Sequence, residues 1–307
     1  MGRYLIRRLL QFIPVFIGAT FLIFAMVFAL PGDPIRALAG ERPMAESVRV
    51  ELTEQYNLDD SLPVQYAKYI GGVIQGDFGT DFRGREVSEI MKERIPRTFK
   101  LAMVAFMFEV LIGIPAGVLA GIRQKGFIDN LVLVSTLTVI SIPIFVLAYV
   151  AQLTLGLRLG WFPIAGIQDG WKSYILPGMV LGSVSLAYVA RLTRASIAEN
   201  LRADYVRTAK AKGLRHRRVV GVHTLRNSLI PVVTYLGVDL GALLGGAIVT
   251  ESVFNIPGLG NEVFSAIVRQ EGTVVVGITT FLVIVYMVVN LLVDLLYAVL
   301  DPRIRYE

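Results

Sequence analysis

The chain has 307 residues, of which 54% are hydrophobic and 18% charged, and its mean hydropathy is +0.62. Because a soluble domain carries roughly 25% charged residues, this composition excludes a water-soluble globular fold and predicts an all-α protein that crosses a membrane several times. The absence of cysteine and the presence of only two histidines exclude disulfides, thiolate metal sites, a cysteine nucleophile and a histidine-rich metal centre. The net charge of +6 is concentrated in residues 191–226, which hold ten Lys/Arg against two acids.

Apolar runs predict six membrane-spanning helices, because about 20 mostly apolar residues cross a hydrocarbon core of roughly 30 Å and backbone in lipid must be hydrogen-bonded internally. The first run, Leu9–Gly32, is longer than the apolar core of a signal peptide and no A-x-A site follows it, so residues 1–32 are expected to be an N-terminal tail and an uncleaved anchor. The other five spans form a core domain at 101–300 and are predicted at 101–122, 130–157 (kinked at Pro143), 173–190, 227–250 and 272–300.

The placement of Lys and Arg predicts the orientation, since short cytoplasmic loops are enriched in these residues. With the N-terminus inside, 17 Lys/Arg lie in the cytoplasm and three lie in the short outer loops. We therefore predict cytoplasmic N- and C-termini, a cytoplasmic loop at 191–226 and a cytoplasmic tail at 301–307. The remaining segment, 33–100, is then extracytoplasmic; it carries ten Lys/Arg and 12 acids but is longer than the loops that the rule governs.

The outer segment is predicted to contain two amphipathic helices, Glu46–Tyr56 and Val64–Gln75, which have helical apolar periodicity. The sequence Gly76-Asp77-Phe78-Gly79 is expected to end the second of them. Two interpretations stay open: a small cap over the outer membrane surface, or a docking surface for an external partner.

Glycine recurs at every fourth residue in three of the predicted spans. Such stripes let two helix backbones approach closely, so they predict helix–helix contacts, either within this chain or with another subunit. The stripes are Gly113, Gly117 and Gly121; Gly178 and Gly182; and Gly237, Gly241 and Gly245.

Three acidic residues, Glu109, Asp239 and Asp294, fall inside predicted spans. Each costs about 2.5–3.5 kcal/mol at mid-membrane, so each is expected to face a bundle interior or an aqueous path. The sequence offers no obvious intramembrane basic partner, and we expect isolated acids in structural roles, with Asp294 close enough to the cytoplasmic end to pair with Arg303 or another interfacial cation. The alternative is that these acids form the core of an ion-driven carrier.

The loop at 191–226 contains the signals of a short helix, Tyr205–Lys212. Asp204 is a suitable N-cap, Lys210 and Lys212 favour the negative end of the helix dipole, and Gly213 fits the left-handed position that ends a helix. We therefore predict a two-turn helix in the cytoplasm.

One face of this helix is predicted to carry Tyr205, Thr208, Ala209 and Lys212, which share the i, i+3, i+4 spacing. Its small central residues suit insertion into a groove of another protein. The alternative is a solvated basic loop attracted to anionic lipid.

At this loop the sequence resembles the integral-membrane permease subunits of binding-protein-dependent ABC importers. Their hallmark is a cytoplasmic helix of EAA type, followed by a glycine and a Leu-Pro-like step into the next span. Here Arg207-Thr208-Ala209 stands at the Glu-Ala-Ala position, Gly213 is the glycine and Ile230-Pro231 is the final step. The Arg207 replacement and the longer stretch to Pro231 resemble the peptide and nickel branch.

The resemblance extends over nearly the whole chain and is closest to the first permease of dipeptide and oligopeptide importers. The motifs that carry it are Tyr4–Arg8 through Pro31–Pro34, Gly76–Gly79, His223–Pro231, Glu251–Gly260, Asn290–Asp294 and Asp301–Arg305.

This resemblance implies a type I ABC importer permease fold in the plasma (inner, cytoplasmic) membrane of a prokaryote. The expected assembly contains this chain, a homologous second permease, two P-loop ATPase subunits and an extracytoplasmic solute-binding protein, with a homodimer of permeases left open. Because the chain has no G-x-x-x-x-G-K-[ST] loop, ATP and Mg are expected on the ATPase subunits and no cofactor on this chain. Di- and oligopeptides are the expected cargo, with nickel chelate, glutathione or sugar as alternatives.

The resemblance also implies two contact sites. The short helix would be the coupling helix, which rests in a cleft of an ATPase subunit, and the loop after the fifth span would form the outer gate or meet the binding protein. The ATPase-coupling residues would be Tyr205, Arg207, Thr208, Ala209, Lys210, Lys212, Gly213 and Arg217. The outer residues would be Glu251, Phe254, Pro257, Gly258 and Gly260.

Other functions have less support in the sequence. An enzyme is disfavoured because the chain contains no G-x-S-x-G, no H-E-x-x-H and no acid pair at catalytic spacing, and His216 and His223 have no carboxylate at metal-ligand spacing. Catalytic residues, a metal site and a nucleic-acid partner are therefore not expected. An ion-coupled secondary carrier or channel would be expected to have paired buried charges or broken helices in corresponding halves, and the sequence reveals no such internal repeat.

Overall fold

A computed structural model of the chain describes residues 2–29, 53, 59–245 and 247–300. Within these ranges the protein is helical, and a single bridge between Thr80 and Glu86 is the β pairing present. The predicted all-α class is therefore confirmed. The helix predicted at Glu46–Tyr56, apart from its residue 53, and the tail at 301–307 lie outside the described residues.

The helices follow the predicted apolar runs, and three of them contain short π-helical segments. In chain order the elements are α1 (Gly2–Phe28), α2 (Leu62–Ile74), α3 (Val87–Phe108), π1 (Glu109–Gly113), α4 (Ile114–Ile122), α5 (Phe127–Ser141), α6 (Ile144–Ala151), π2 (Gln152–Arg158), α7 (Lys172–Asn200), α8 (Asp204–Ala211), α9 (His216–Arg218), π3 (Val219–Thr224), α10 (Leu225–Gly245), α11 (Ile248–Val253), α12 (Leu259–Val268) and α13 (Gly272–Leu300).

By length and composition, five helices in the described part of the chain can cross a membrane, or six if a bent pair counts as one span. The five are Ile6–Phe28, Val87–Ile122, Lys172–Asn200, His216–Gly245 and Gly272–Leu295. Several are longer than the predicted spans, because hydropathy marks only the lipid-facing part of a helix, whereas backbone hydrogen bonds continue the helix into water. Residues 191–200, which were predicted to belong to the cytoplasmic loop, therefore form the last turns of α7.

The predicted third span is broken rather than kinked. Helices α5 and α6 meet at an angle of 105°. Pro143 has no amide hydrogen, and the residue before a proline is pushed out of the helical region. Ile142 accordingly has φ −101° and ψ 127°, which ends α5 at Ser141.

The described residues form two compact units, one with residues up to 97 and 257–287, the other with 98–256 and 288–300. In the first unit, an aromatic cluster holds α2 against α1. The Phe24 ring lies 5.7 Å from that of Tyr66 and 5.5 Å from that of Tyr69, and the hydroxyls of Tyr66 and Thr20 are 2.8 Å apart.

The turn Gly76-Asp77-Phe78-Gly79 ends α2, as predicted. Its two glycines have φ of +86° and +89°, in the left-handed region that favours glycine. The Asp77 carboxylate accepts a hydrogen bond from the Gly79 amide at 2.8 Å, and the Phe78 ring packs edge-on against Phe281 at 6.3 Å. The motif is thus a turn that fixes α2 within this unit.

In the second unit, the glycine stripes bring helices into backbone contact. A Cβ atom on Gly117 would lie 2.5 Å from the Ala190 carbonyl oxygen, and one on Gly178 would lie 2.5 Å from Val104 Cγ1. The stripes of α4 and α7 are therefore packing surfaces within this chain. Of the two interpretations of these stripes, contact within the chain or with another subunit, the first is correct for both.

Candidate coupling and translocation sites

Helix α8 is the predicted cytoplasmic helix, and it begins at Asp204 and ends at Ala211. Gly213 has φ +76°, so the prediction that it adopts the left-handed conformation is confirmed. The predicted N-cap is wrong: Ala203 occupies that position and Asp204 is the first helical residue, 3.6 Å from Arg207. The negative charge still lies at the helix N-terminus, where the dipole favours it.

The inner side of α8 packs on its own chain. Val206 and Ala209 are buried against Val219 of π3, with Leu214 beside them. The prediction that Ala209 lies on the outward contact face is therefore wrong. Val206 and Ala209 share one side of the helix through their i, i+3 spacing, and this small apolar side is covered by the chain that returns toward the membrane.

The outer side of α8 is exposed and basic. The Tyr205 hydroxyl is 2.5 Å from Asn200 Oδ1, and the Thr208 hydroxyl donates to the Asp204 carbonyl at 2.9 Å. The other predicted coupling residues are exposed with them: Tyr205, Arg207, Thr208, Lys210, Lys212, Gly213 and Arg217.

The residues predicted to dock an external partner after the fifth span are largely buried. Glu251 is 0% exposed and accepts a hydrogen bond from the Thr98 hydroxyl at 2.6 Å, and Phe254 is 1% exposed. The Phe254 carbonyl accepts from the Gly166 amide at 2.9 Å. Neither side chain presents a surface to a partner, and both instead fix α11 within the second unit.

Three further predicted docking residues belong to the first unit. Gly258 and Gly260 are buried, and the Pro257 carbonyl accepts a hydrogen bond from Arg97 Nη1 at 3.1 Å. The exposed side chains of α12 are instead apolar, namely Phe264, Ile267 and Val268. Sequence reasoning missed them because both sides of α12 are apolar and the motif does not tell which side is buried.

An ion-pair network fixes α12 to α3. Glu262 lies 2.5 Å from Arg94 and 2.8 Å from Arg269, which also lies 3.0 Å from Glu271. Hydrogen bonding to Glu271, followed by that to Glu262, raises the pKa of Arg269 above its usual value despite partial burial. This network holds the exposed apolar side of α12 in a defined orientation.

The intramembrane acids are not isolated, contrary to expectation. Glu109 and Asp239 lie close enough for their carboxyl groups to interact. Ser185 donates a hydrogen bond to Asp239 Oδ1 at 2.9 Å, and the Tyr235 hydroxyl is 3.4 Å from the same atom. Asp294 is half-buried in α13. Sequence spacing could not pair Glu109 with Asp239, because π1 and α10 are far apart in the chain.

A second buried contact that the sequence did not predict joins α5 to α7. Arg194 forms a two-pronged ion pair with Asp129, through Nε to Oδ1 and through Nη2 to Oδ2 at 2.8 Å. Asp129 Oδ2 also accepts from the Lys125 amide at 2.8 Å. These contacts anchor the start of the broken span.

Comparison with protein-family models identifies the family of this chain. Residues 113–306 match the family described as binding-protein-dependent transport system inner membrane component, and residues 1–102 match the N-terminal model of the same kind of component. The chain belongs to this permease family. It is a multi-pass membrane subunit of a transport system, as the sequence resemblance implied.

Characterised relatives match this permease over its full length. The oligopeptide transport system permease of Bacillus subtilis is 36% identical over 317 residues, and the dipeptide transport system permease of Escherichia coli K12 is 37% identical over 340 residues. The glutathione transport system permease of Salmonella paratyphi A is 39% identical over 308 residues. In each case the alignment covers 100% of both chains.

A solved structure shares the fold. A chain of the MetNI methionine ABC transporter, in an inward-facing form, superposes with a TM-score of 0.58 at 20% identity, covering 69% of this permease and 96% of that chain. This likeness supports the architecture, and the predicted permease fold is confirmed.

Proposed function

We propose that this permease is a transmembrane subunit of an ATP-driven importer of di- and oligopeptides. It would form the solute path with a second homologous permease and work with two ATPase subunits and an extracytoplasmic solute-binding protein. The observation that carries the proposal is the exposed basic side of α8, held on the membrane helix His216–Gly245 by the buried contact between Ala209 and Val219. Full-length identity to peptide permeases supports the cargo.

The energy for transport would come from partner ATPases. The chain has no G-x-x-x-x-G-K-[ST] loop, so ATP and Mg would bind to the partner ATPases, and catalysis would take place there. Helix α8 would lie in a cleft of one ATPase subunit. Because its inner side is packed on π3, it would move together with the membrane helix that follows.

The proposed location is the plasma membrane of a prokaryote, with both termini in the cytoplasm. The bacterial sources of the relatives support the location, and the Lys/Arg distribution supports the orientation. Helix α12 would then lie on the extracytoplasmic side, and its exposed residues Phe264, Ile267 and Val268 are the proposed contact for the binding protein.

The coupling assignment is tested by affinity purification of the tagged permease from its native membrane in mild detergent, with mass spectrometry of the recovered proteins. We expect the wild type to recover a P-loop ATPase and a second permease. The variant Arg207→Glu/Thr208→Trp changes only the exposed side of α8 and should lose the ATPase while it keeps the second permease. Arg123→Glu, an exposed basic residue at the end of α4, is the charge-matched control and should keep both.

Two results would contradict this assignment. One is equal recovery of the ATPase by the α8 variant and the wild type, which would remove α8 from the contact. The other is recovery of no ATPase by the wild type after cross-linking, which would contradict an ATP-driven importer altogether.

Glutathione is the second candidate cargo, because a glutathione permease has 39% identity to this chain. A transport assay with proteoliposomes that contain the complete importer distinguishes the two candidate cargoes. A peptide importer accumulates labelled dialanine with little competition from excess glutathione. Accumulation of labelled glutathione that resists excess dialanine would assign the second cargo.

A further inference from the structure

An apolar groove lies at the bend of the broken span. Helices α5 and α6 meet at 105°, and together with α7 they line a cavity of about 350 Å³. The walls of this cavity also include Phe108 at the end of α3 and Leu155 of π2. We call this cavity the bend groove.

The lining of the bend groove does not attract water. Three lining residues carry hydroxyl groups, and each hydroxyl donates to a carbonyl of its own helix. The hydroxyls of Ser135 and Thr136 donate to the Val132 carbonyl at 3.1 and 2.7 Å, and that of Ser183 donates to the Val180 carbonyl at 2.7 Å. The other lining residues are apolar. A buried water molecule needs roughly two to four polar partners, so the groove suits a hydrocarbon chain and not an aqueous solute path.

Two exposed lysines, Lys100 and Lys172, precede the groove on two of its helices. Phe108 follows Lys100 by eight residues in α3, and Leu176 and Met179 follow Lys172 by four and seven residues in α7. These spacings place each lysine on the side of its helix that lines the groove. At a rise of about 1.5 Å per residue the separation along the helix axis is about 6–12 Å, within half of a hydrocarbon core that is roughly 30 Å thick. A phospholipid headgroup at the lysines would therefore place its acyl chains at the level of the groove.

The two tryptophans of the chain lie in the segment between π2 and α7, beside these lysines. Trp161 is 60% and Trp171 is 62% exposed, and Lys100 Nζ lies 5.6 Å from the centroid of the Trp171 ring. Arg158, at the start of the segment, is exposed as well. Exposed tryptophans are enriched at the level of lipid headgroups, and basic side chains at that level attract their phosphates. This end of the helices therefore has the character of a membrane–water interface.

We propose that the bend groove binds one acyl chain of a phospholipid whose phosphate pairs with Lys100 and Lys172. Charge and polarity together select this occupant: the groove is apolar and the helix ends beside it are basic, and a phospholipid joins a hydrocarbon chain to a negative phosphate in one molecule. A helix of a second permease could fill the groove but would have no phosphate for the lysines. The inference goes beyond the proposed function and does not depend on the cargo.

The test uses the permease purified with its accompanying subunits and reconstituted into proteoliposomes. The vesicles contain phosphatidylglycerol with a photoreactive diazirine in the middle of one acyl chain. After illumination, mass spectrometry of permease peptides measures the share of the label that lies on the bend groove. We expect this share to be the largest of any site on the wild-type permease.

The phosphate contact is tested by the double variant Lys100→Glu/Lys172→Glu. Loss of two basic contacts to the headgroup should lower the share of label on the groove about fivefold or more. The charge-matched control is Arg123→Glu/Lys125→Glu, which changes two exposed basic residues just before α5. The control should stay within about twofold of the wild type, as is usual for surface substitutions.

The chain contact is tested by a pair of substitutions at Ser183. Ser183→Leu fills the groove with a larger apolar side chain and should lower its label while the lysines remain. Ser183→Ala removes the same hydroxyl without filling the groove and should keep the label of the wild type. The Ser183 hydroxyl bonds only to its own helix, so its loss leaves no other side chain without a partner.

Three results would overturn the lipid site. One is a wild-type permease labelled elsewhere but not on the bend groove, which would mean that protein covers the groove. Another is unchanged groove label in Lys100→Glu/Lys172→Glu, which would remove the phosphate contact. The third is an equal loss in Ser183→Leu and Ser183→Ala, because filling the groove would then not matter. Uptake of peptide is not measured, so a failure of the proposed cargo would leave these outcomes unaffected.

Discussion

Buried charges in this permease are matched across helices that are distant in the chain. Asp129 is paired with Arg194, and Glu262 is paired with Arg94 and Arg269. A buried charge is tolerated where a partner or a hydrogen-bond donor meets it. Each of these residues is therefore a point where one substitution has a large effect.

The Asp129–Arg194 ion pair is expected to hold α5 on α7. Asp129→Asn leaves the Arg194 guanidinium without its counter-charge, and breaking a buried pair in this way costs about 3–5 kcal/mol. The double variant Asp129→Asn/Arg194→Met should be less destabilised than the sum of the two single variants. Thermal unfolding of the purified permease in detergent measures this, and strictly additive effects would contradict the pairing.

Residue-level prediction from sequence succeeded where local geometry decides and failed where burial decides. The left-handed Gly213 and the turn at Gly76–Gly79 depend on a few adjacent residues, so both were predictable. The directions of Glu251 and Ala209 depend on what packs against them, and a single sequence does not contain that information.

At the scale of elements, apolar periodicity located the helices but not their ends. Helix α7 continues to Asn200 because its backbone hydrogen bonds do not require lipid, and the break at Pro143 became a 105° bend because the residue before it is extended. The π-helical segments have no sequence signature and were missed. Close helix–helix contact at the glycine stripes of α4 and α7, by contrast, was correctly inferred from glycine spacing.

The contact between α4 and α7 leads to a prediction about Gly117. A leucine there would place its Cβ 2.5 Å from the backbone oxygen of Ala190, which cannot rotate away. Overpacking of this kind typically costs about 1–3 kcal/mol or more, so Gly117→Leu should lower the unfolding temperature and the folded yield. Gly18→Leu in α1, where a Cβ meets nothing within 4 Å, should behave like the wild type, and equal losses in both would contradict the contact.

The turn around Asp81 leads to a prediction about pH. Burial raises the pKa of Asp81, but hydrogen bonds from the Arg85 and Arg83 amides and the ion pair with Arg85 outweigh it, so the net pKa is lowered. A depressed carboxyl pKa contributes stability above the unfolded value, about 3.9, and loses it as pH falls through the folded value. Hydrogen exchange at the Arg83 and Arg85 amides should therefore stay protected down to pH about 4 and lose protection below it, an effect absent in Asp81→Asn.

At the scale of the molecule, composition alone indicated a multi-pass membrane protein, and ordered motifs indicated the permease family. The described residues include two neighbouring intramembrane acids and one broken helix, whereas a carrier would be expected to have such features in corresponding halves. The match of residues 113–306 to the binding-protein-dependent family nevertheless decides the class. The proximity of Glu109 to Asp239 could not be predicted from the sequence, because the two residues lie in different spans.

The proposed orientation leads to a labelling prediction that the absence of native cysteine makes simple. Thr208→Cys on α8 should react with a membrane-impermeant maleimide only after the cytoplasmic side is opened. Gln168→Cys, exposed in the segment between π2 and α7, should react in intact cells or spheroplasts. The reverse pattern would contradict cytoplasmic termini.

Because Ala209 packs on Val219, α8 and the helix His216–Gly245 are expected to move as one rigid unit. Asp239 lies on that same helix and accepts a hydrogen bond from Ser185 of α7, so a displacement of α8 would be transmitted to the contact between α10 and α7. Thermodynamic linkage is reciprocal: if the position of α8 changes the stability of that contact, a change in the contact shifts the equilibrium position of α8 by the same free energy. A solute that displaces α10 within the membrane would then change the position of α8 on the side where the ATPase is proposed to bind.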